Sequence, residues 1–484
     1  MCSTPRCRIL LLLALICVGG LAGSALESRP ASRPGAGMTI AQVRKLRLQA
    51  AARRRPLVVH GDGRPMDVRD DVLEKNEAAL IFPSLPGTRT SALTYSLMHQ
   101  FNVARLYRSK VAQEWPAGYV RKLYGDGPDG LQRYIDFCRA HGYEAWYAMR
   151  ANDTHDAGND SHGRMRLDSC DFKKQHPEFL HGTRGNPPPF GRWSGLDYAQ
   201  PLVREQVFRI FQEVCRNYEI DGLQLDFFRH LNMFKSVAWG GSAADQEVAA
   251  MTDLMRRLRA MMDEEGARRG RPILLSVRTP DSAEYCRALG LDVRTWMKEG
   301  LIDAWVVGGY FQLQDWSESV RLGHKYGCQV WASLDESRLP LRGGTVRSVP
   351  DWRASGVNAT EGYRGRALNA WRAGVDSIIL FNFFFLPGES PDLRTQQLDL
   401  SRQRPSLLAA SPTVPQVTQY IVRIIYDTLY FCQNGDFGQN TQPSARTSWS
   451  ATTCRRPPTR GGGTGSPWKS WPRAWPDRPI WRCV

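Results

Sequence analysis

From Glu219 to Arg229 the chain reads Glu-Ile-Asp-Gly-Leu-Gln-Leu-Asp-Phe-Phe-Arg, a short apolar strand running into a carboxylate at Asp226. Side-chain alternation puts Gly222, Gln224 and Asp226 on one face and Leu223 and Leu225 on the other. A row of Gly, Gln and Asp is too polar for plain core, so that face is expected to line a cleft. A second acidic candidate closes Gln329-Val-Trp-Ala-Ser-Leu-Asp-Glu336. There Trp331, Ser333 and Asp335 share the inward face, and Glu336 lies at the mouth of the strand. Two facing carboxylates can cleave a glycosidic bond, one protonating the leaving oxygen while the other attacks or activates water. Asp226 is expected as nucleophile or stabilising carboxylate, and Asp335 or Glu336 as general acid. On this reading Asp226→Asn abolishes turnover and spares the fold. Asp281 is a rival acid. The structural alternative pairs Asp226 with Arg229 or a helix N-terminus and makes Asp335 and Glu336 a surface pair.

The loop Met149-Arg-Ala-Asn-Asp-Thr-His-Asp156 crowds Arg150, Asn152, Asp153, His155 and Asp156 into a few positions. Planar polar groups of this kind hold sugar hydroxyls, with aromatic side chains as stacking platforms. Asp62, Arg229, Arg278, Tyr310 and Asn382, at or just past strand ends, complete the expected substrate-binding set. The rival chemistry is a metal held by Asp153, His155 and Asp156. No H-E-x-x-H and no second His-rich cluster supports it, so neither metal nor cofactor is expected.

Residues so placed need a scaffold that brings several strand ends together. Eight short apolar runs are visible: Leu57–His60, Ala92–Met98, Glu144–Met149, Gly222–Phe228, Ile273–Val277, Asp303–Tyr310, Gln329–Leu334 and Ser377–Phe384. Continuous apolar runs are the mark of strands covered on both faces. Helical periodicity falls between them at 130–140, 201–217, 244–268, 315–326 and 361–373. The helix at 201 opens on Pro201, pre-shaped for a first turn. The expected fold class is α/β, a (β/α)8 TIM barrel with long βα loops, whose catalytic groups gather at the C-terminal strand ends. A doubly wound open sheet is the alternative, but no Gly-rich phosphate loop follows the first strand. Residues 150–199 are too long for an ordinary connection, and such loops are usually functional.

Around this barrel, assigned to residues 57–400, the chain divides further. Residues 1–25 read as a secretory signal: Arg6 and Arg8, the apolar run Ile9 to Val18, then small residues at Gly23-Ser24-Ala25. The expected location is secreted or periplasmic, with no stable membrane insertion after signal cleavage. Residues 26–56 are a linker and a basic segment with a helix at 39–54, and 401–431 a helical extension. Residues 432–484 form an Arg/Pro/Trp-rich tail with no period, the texture a reading-frame shift would leave; its rival is a genuine aromatic, basic binding tail. The 484 residues carry a net charge of +16, yet no Lys/Arg block exceeds Arg53-Arg-Arg55. Without a nucleic-acid-binding fingerprint, nucleic acid is not an expected partner. The 11 cysteines include no C-x-x-C pair. Most are expected as buried small hydrophobes.

The run Leu196-Asp-Tyr-Ala-Gln-Pro-Leu-Val-Arg-Glu205, followed by Tyr218-Glu-Ile-Asp-Gly-Leu-Gln-Leu-Asp-Phe227, resembles the glycosyl-hydrolase-like barrels related to family ten, common among secreted bacterial proteins. The Arg150 to Asp156 loop and the Trp296 to Asp303 approach are similar to that group as well. The resemblance spans residues 57–400. It implies a TIM barrel and a carbohydrate substrate. Classical family-ten enzymes end strands four and seven in Glu. Here strand four ends in Asp226, which is similar to the α-galactosidase-like barrels. A non-catalytic carbohydrate-binding barrel is the second functional reading.

Overall fold

All eight apolar runs become strands, and they close on themselves. The computed structural model describes residues 37–62, 85, 90–99, 101–104, 106–114, 117–158, 170–309, 312–335, 340–341, 344–345 and 360–381. The strands are β1 (Leu57–Asp62), β2 (Thr90–Ser96), β3 (Glu144–Arg150) and β4 (Gly222–Asp226), then β5 (Leu274–Thr279), β6 (Ala304–Val307), β7 (Gln329–Asp335) and β8 (Ser377–Phe381). Each pairs in parallel with its neighbours, and β8 returns to β1. The longer helices are α1 (Ile40–Ala51), α2 (Gly130–Ala140), α3 (Pro201–Asn217), α4 (Asp245–Arg269), α5 (Trp316–Lys325) and α6 (Thr360–Ala373). The eight-stranded TIM barrel is therefore correct, and the open sheet is excluded. The regions assigned to the signal, the 401–431 extension and the 432–484 tail lie outside the described residues. Among the described residues no helix is long and apolar enough to cross a membrane.

Strand alternation sorts the barrel into two sides. Leu223, Leu225, Leu275, Val277, Trp305, Val330, Ala332 and Leu334 belong to the main core under the helices. Val58, Ala92, Trp146, Leu274, Ala304, Val306, Trp331 and Ile379 form a separate cluster inside the barrel. Each fully buried aliphatic side chain in these layers is worth about 1.5–3 kcal/mol relative to exposure. The Trp146 and Trp331 rings meet edge to face at 5.3 Å and fill the floor. This explains Gly222. A Cβ there would lie 2.4 Å from Cε3 of Trp146, so the glycine makes room for an indole and is no part of a cleft. The indole N–H groups are satisfied at the floor itself, Trp146 donating to Glu144 at 3.1 Å and Trp331 to Gln329 at 3.0 Å.

The floor is sealed from below by α1. Ala50 and Ala51 pack on the inner cluster. Arg55 donates to both oxygens of Glu144 at 2.7 and 3.0 Å, and Arg47 donates to Gly300 O at 2.9 Å and Asp303 at 3.3 Å. The helix begins at Thr39 through a capping box with Gln42 and ends at Ala51, three residues before the expected stop. Its basic character is not a solvated face throughout, because Arg47 is buried in an ionic contact.

A recurrent device also sits at the floor. Asp221, Asp303 and Asp376 each immediately precede an even-numbered strand. Their carboxylates accept the N–H of Ala145, Leu275 and Val330, each at 2.8 Å. Their own N–H groups bond back to the carbonyls of the same residues at 2.8, 2.8 and 2.9 Å. Each clip ties an even strand to the odd strand before it.

Candidate active site at the barrel mouth

Going up the barrel, the inward positions change from aliphatic to polar. Above the floor stand Thr94, Gln224 and Ser276, then Arg150, Asp226, Arg278 and Ser333, all buried. Strand β4 stops at Asp226 for a local reason. Its Oδ1 accepts the N–H of Phe228 at 2.9 Å and of Arg229 at 3.0 Å, turning the chain out of the sheet. This corrects the expected strand end at Phe228.

The carboxylate of Asp226 faces Arg278 from β5, with Nη1 at 3.0 Å from Oδ1 and 3.2 Å from Oδ2. Both side chains are buried, at 2% and 0% exposure. Arg278 also donates from Nε to Ser333 Oγ at 3.3 Å, and its guanidinium carbon lies 3.5 Å from the Phe381 ring centroid. His60 stacks on the same Phe381 ring, with 4.4 Å between centroids. Gly309 admits the guanidinium: its φ is +127°, and a Cβ there would come within 2.4 Å of Arg278 Nη2. The ionic partner of Asp226 is therefore Arg278, while Arg229 contributes its backbone N–H to that carboxylate.

The loop after β3 forms a second network. Arg150 donates to Asp153 Oδ2 at 2.6 Å, and the His155 N–H to Oδ1 at 2.9 Å. His155 Nδ1 lies 2.5 Å from Asp153 Oδ1, and its Nε2 lies 3.0 Å from Arg229 Nη2. An arginine can only donate. Nε2 therefore accepts, the proton sits on Nδ1 toward Asp153, and the ring is neutral. Burial pushes the His155 imidazole down to about 4, with Arg229 and Arg150 adding to burial and Asp153 opposing it. Burial alone would raise the Asp153 carboxyl, but His155 and Arg150 hold it well below its usual range. His230 packs edge-on against His155 at 4.9 Å between ring centroids, and its imidazole is likewise driven well down by burial.

Other expected site residues do different work. Asn152 donates to the carbonyls of Leu196 and Asn232, each at 2.8 Å, and accepts the Leu196 N–H at 2.9 Å. It is a clasp between loops. Asp156 is fully buried, receiving Lys173 Nζ at 2.8 Å and Ser194 Oγ at 2.6 Å. It anchors the loop, and this pairing takes it out of the rival metal set with Asp153 and His155. Asp281 accepts the N–H groups of Leu313 and Gln314 and fixes that loop. Asp335 closes β7, and β1 runs on to Asp62, two residues past its expected stop at His60, while Tyr310, Glu336 and Asn382 lie outside the described residues. The sequence reading missed His230, Arg192 and Lys173. Phe228-Arg229-His230 directly after the strand-four carboxylate was the one available signal.

Asp153, His155 and His230 can bring ligand atoms within 4.8 Å of one another, a spacing that suits a metal ion. The hydrogen bonds argue otherwise. Arg150 sits on the Asp153 carboxylate and Arg229 on the remaining His155 nitrogen, so a dication there would face two guanidiniums.

The buried imidazoles set a pH dependence. Burial lowers His155 to about 4 and His181 to about 3, and places His230 well below its ordinary value. Unfolded imidazoles titrate near ~6.5. As pH falls from about 6.5 toward 4 the unfolded chain binds protons that the folded chain refuses, so stability declines across that window. Asp281, raised by burial to about 6, acts in the opposite sense together with Asp156 and Asp303, which burial also raises, while Asp153, Asp221 and Glu265, held below the usual carboxylate range by their basic neighbours, act with the imidazoles. Urea unfolding at pH 7 and pH 5 is expected to give the lower midpoint at pH 5; an equal or higher midpoint there contradicts the neutral imidazoles.

No family model and no curated protein matches the chain. Among solved structures it is similar to an α-L-fucosidase isoenzyme from Paenibacillus thiaminolyticus, at 13% identity and a TM-score of 0.44 over 73% of this chain and 49% of that one. It is similar to a GH36 α-galactosidase from Geobacillus stearothermophilus, at 11% identity and 0.37 over 72% and 42%. A GH18 chitinase from Chromobacterium violaceum aligns at 14% identity and 0.32 over 53% and 36%. The chain spans about half the length of these proteins or less, and no residue role is transferred from them.

Proposed function

We propose that this chain is a glycoside hydrolase whose chemistry takes place at the C-terminal mouth of the barrel, with Asp226 as nucleophile or stabilising carboxylate. The observation that carries this reading is the polarity gradient inside the barrel, from indole and aliphatic floor to a buried Asp226–Arg278 pair at the strand ends. A barrel serving only as scaffold has no need of a buried ion pair there, since such pairs rarely add net stability. Arg278 reaches from Asp226 on β4 to Ser333 on β7. Side-chain alternation in the sequence puts Asp335 in step with Ser333, so Asp335, or Glu336 beside it, is our general acid. The kinship with family-ten-like barrels and an exported location rest on the sequence patterns around Pro201, Asp226 and Arg6 to Ala25.

A second reading is favoured by one contact set. Oδ1 of Asp226 already takes three donors, from Phe228, Arg229 and Arg278. That suits an anchoring carboxylate in a barrel that binds saccharide without cleaving it. Reducing-sugar release from a panel of neutral and acidic polysaccharides separates the two. Release by the purified chain supports the hydrolase; retardation in a polysaccharide gel with no release supports binding alone.

A further inference from the structure

Resting on the hydrolase reading above, we infer that Arg278 is a positioning residue for Asp226, holding that carboxylate so that Oδ2 is the oxygen that meets the anomeric carbon of the sugar. The two oxygens of Asp226 are unequally used. Oδ1 accepts the N–H of Phe228 at 2.9 Å, the N–H of Arg229 at 3.0 Å and Nη1 of Arg278 at 3.0 Å. Among the described residues Oδ2 accepts only from Nη1 of Arg278, at 3.2 Å. A carboxylate offers about four lone-pair sites shared between its two oxygens, so Oδ1 is filled while Oδ2 keeps capacity. The backbone donors fix Oδ1 at the turn after β4. The guanidinium from β5 spans both oxygens, which sets the rotation of the carboxylate plane.

Arg278 is itself held on several sides. Its side chain is fully buried. Its Nε donates to Ser333 Oγ on β7 at 3.3 Å, and its guanidinium carbon lies 3.5 Å from the Phe381 ring centroid and 5.0 Å from that of Phe228. Gly309 leaves the room that a Cβ would take from Nη2. So enclosed, the guanidinium acts through Asp226 and does not touch the sugar. It is a planar fork bridging two strands, a task that the point charge of a lysine cannot repeat. The chemistry assigned to Asp226 then runs through Oδ2. As nucleophile, Oδ2 gives an electron pair to the anomeric carbon while the bond to the glycosidic oxygen breaks. That oxygen leaves with the bonding pair and takes the proton of the general acid. Water, deprotonated by the same residue in its basic form, then displaces the carboxylate. As stabiliser, Oδ2 faces the positive charge that develops at that carbon.

The test is steady-state kinetics of the full chain on the aryl glycoside it cleaves fastest, for the parent, Arg278→Lys and Ser333→Ala, with urea midpoints to show that each is folded. Arg278→Lys is expected to lower kcat about 100-fold with KM within about twofold of the parent, the loss that a misplacement of ~1 Å brings. Ser333→Ala removes the far tether and keeps the charge; it is expected to lower kcat roughly tenfold, the size of one hydrogen bond to a charged group, with KM unchanged. If Arg278→Lys gives no cooperative urea transition, Ser333→Ala decides alone. Parent-like kcat in the folded variants overturns the inference and leaves the hydrolase standing. A raised KM at unchanged kcat does the same, since it makes Arg278 a sugar ligand. In crystals of the parent with a slow fluorinated glycoside of the same sugar, the anomeric carbon is expected against Oδ2, with both backbone N–H bonds to Oδ1 kept; a carbon against Oδ1 also overturns the inference. A parent that cleaves neither aryl glycosides nor polysaccharides ends the hydrolase reading and this inference with it.

Discussion

Asp226→Asn is expected to stop sugar release and also to destabilise the chain by about 3–5 kcal/mol, the cost of removing one partner from a buried ion pair. Asparagine keeps an oxygen for the N–H groups of Phe228 and Arg229, so the turn after β4 survives. It removes the Asp226 charge from beside the buried Arg278 guanidinium, at 0% exposure. Lost turnover alone would then be ambiguous. The double variant Asp226→Asn with Arg278→Met resolves it. Removing both charges should restore most of the stability, because an apolar replacement of a buried pair is often neutral, while turnover should stay absent. Urea unfolding and reducing-sugar assays on parent, single and double variants are the measurements. Recovered turnover in the double variant would end the catalytic assignment of Asp226. A single variant as stable as the parent would contradict the buried pair itself.

Lys173→Met should have an effect of similar size, about 3–5 kcal/mol, for a different reason. Lys173 and Asp156 both have side-chain exposures of 0%, and Lys173 also donates to the Asp153 carbonyl at 2.7 Å. The ammonium thus ties the segment after 170 to the loop that carries Asp153 and His155. Methionine fills the volume but leaves Asp156 buried as an anion beside Ser194. Limited proteolysis should cut the 150–157 loop faster in the variant than in the parent. Adding Asp156→Asn should restore part of the stability. Unchanged unfolding and proteolysis in Lys173→Met would show that the loop does not depend on this ammonium.

The barrel was legible because burial on both faces leaves an unbroken apolar run in each strand, and the runs from Leu57 to Phe381 are spaced widely enough for helices between them. Alternation then placed Asp226, Arg278, Ser333 and Trp331 on the inner face correctly. What stayed hidden was partnership. Nothing local says that Arg278, and not Arg229, meets Asp226, because the two lie on different strands. Asp156 and Asn152 look like sugar ligands by type, yet they are consumed by Lys173, Ser194 and distant carbonyls. Gly222 looked like part of a polar cleft, and only the neighbouring strand's Trp146 explains it. The floor clips were visible in principle as Ile220-Asp221-Gly222, Ile302-Asp303-Ala304 and Val375-Asp376-Ser377. Their meaning required knowing which strand lay alongside.

The indole floor has a consequence for traffic. With Trp146 and Trp331 wedged across the barrel and α1 pinned beneath them by Arg47 and Arg55, the barrel is a vessel with a blind end. Whatever enters at the Asp226 end must back out through the same doorway. Arrivals and departures at that site therefore take turns.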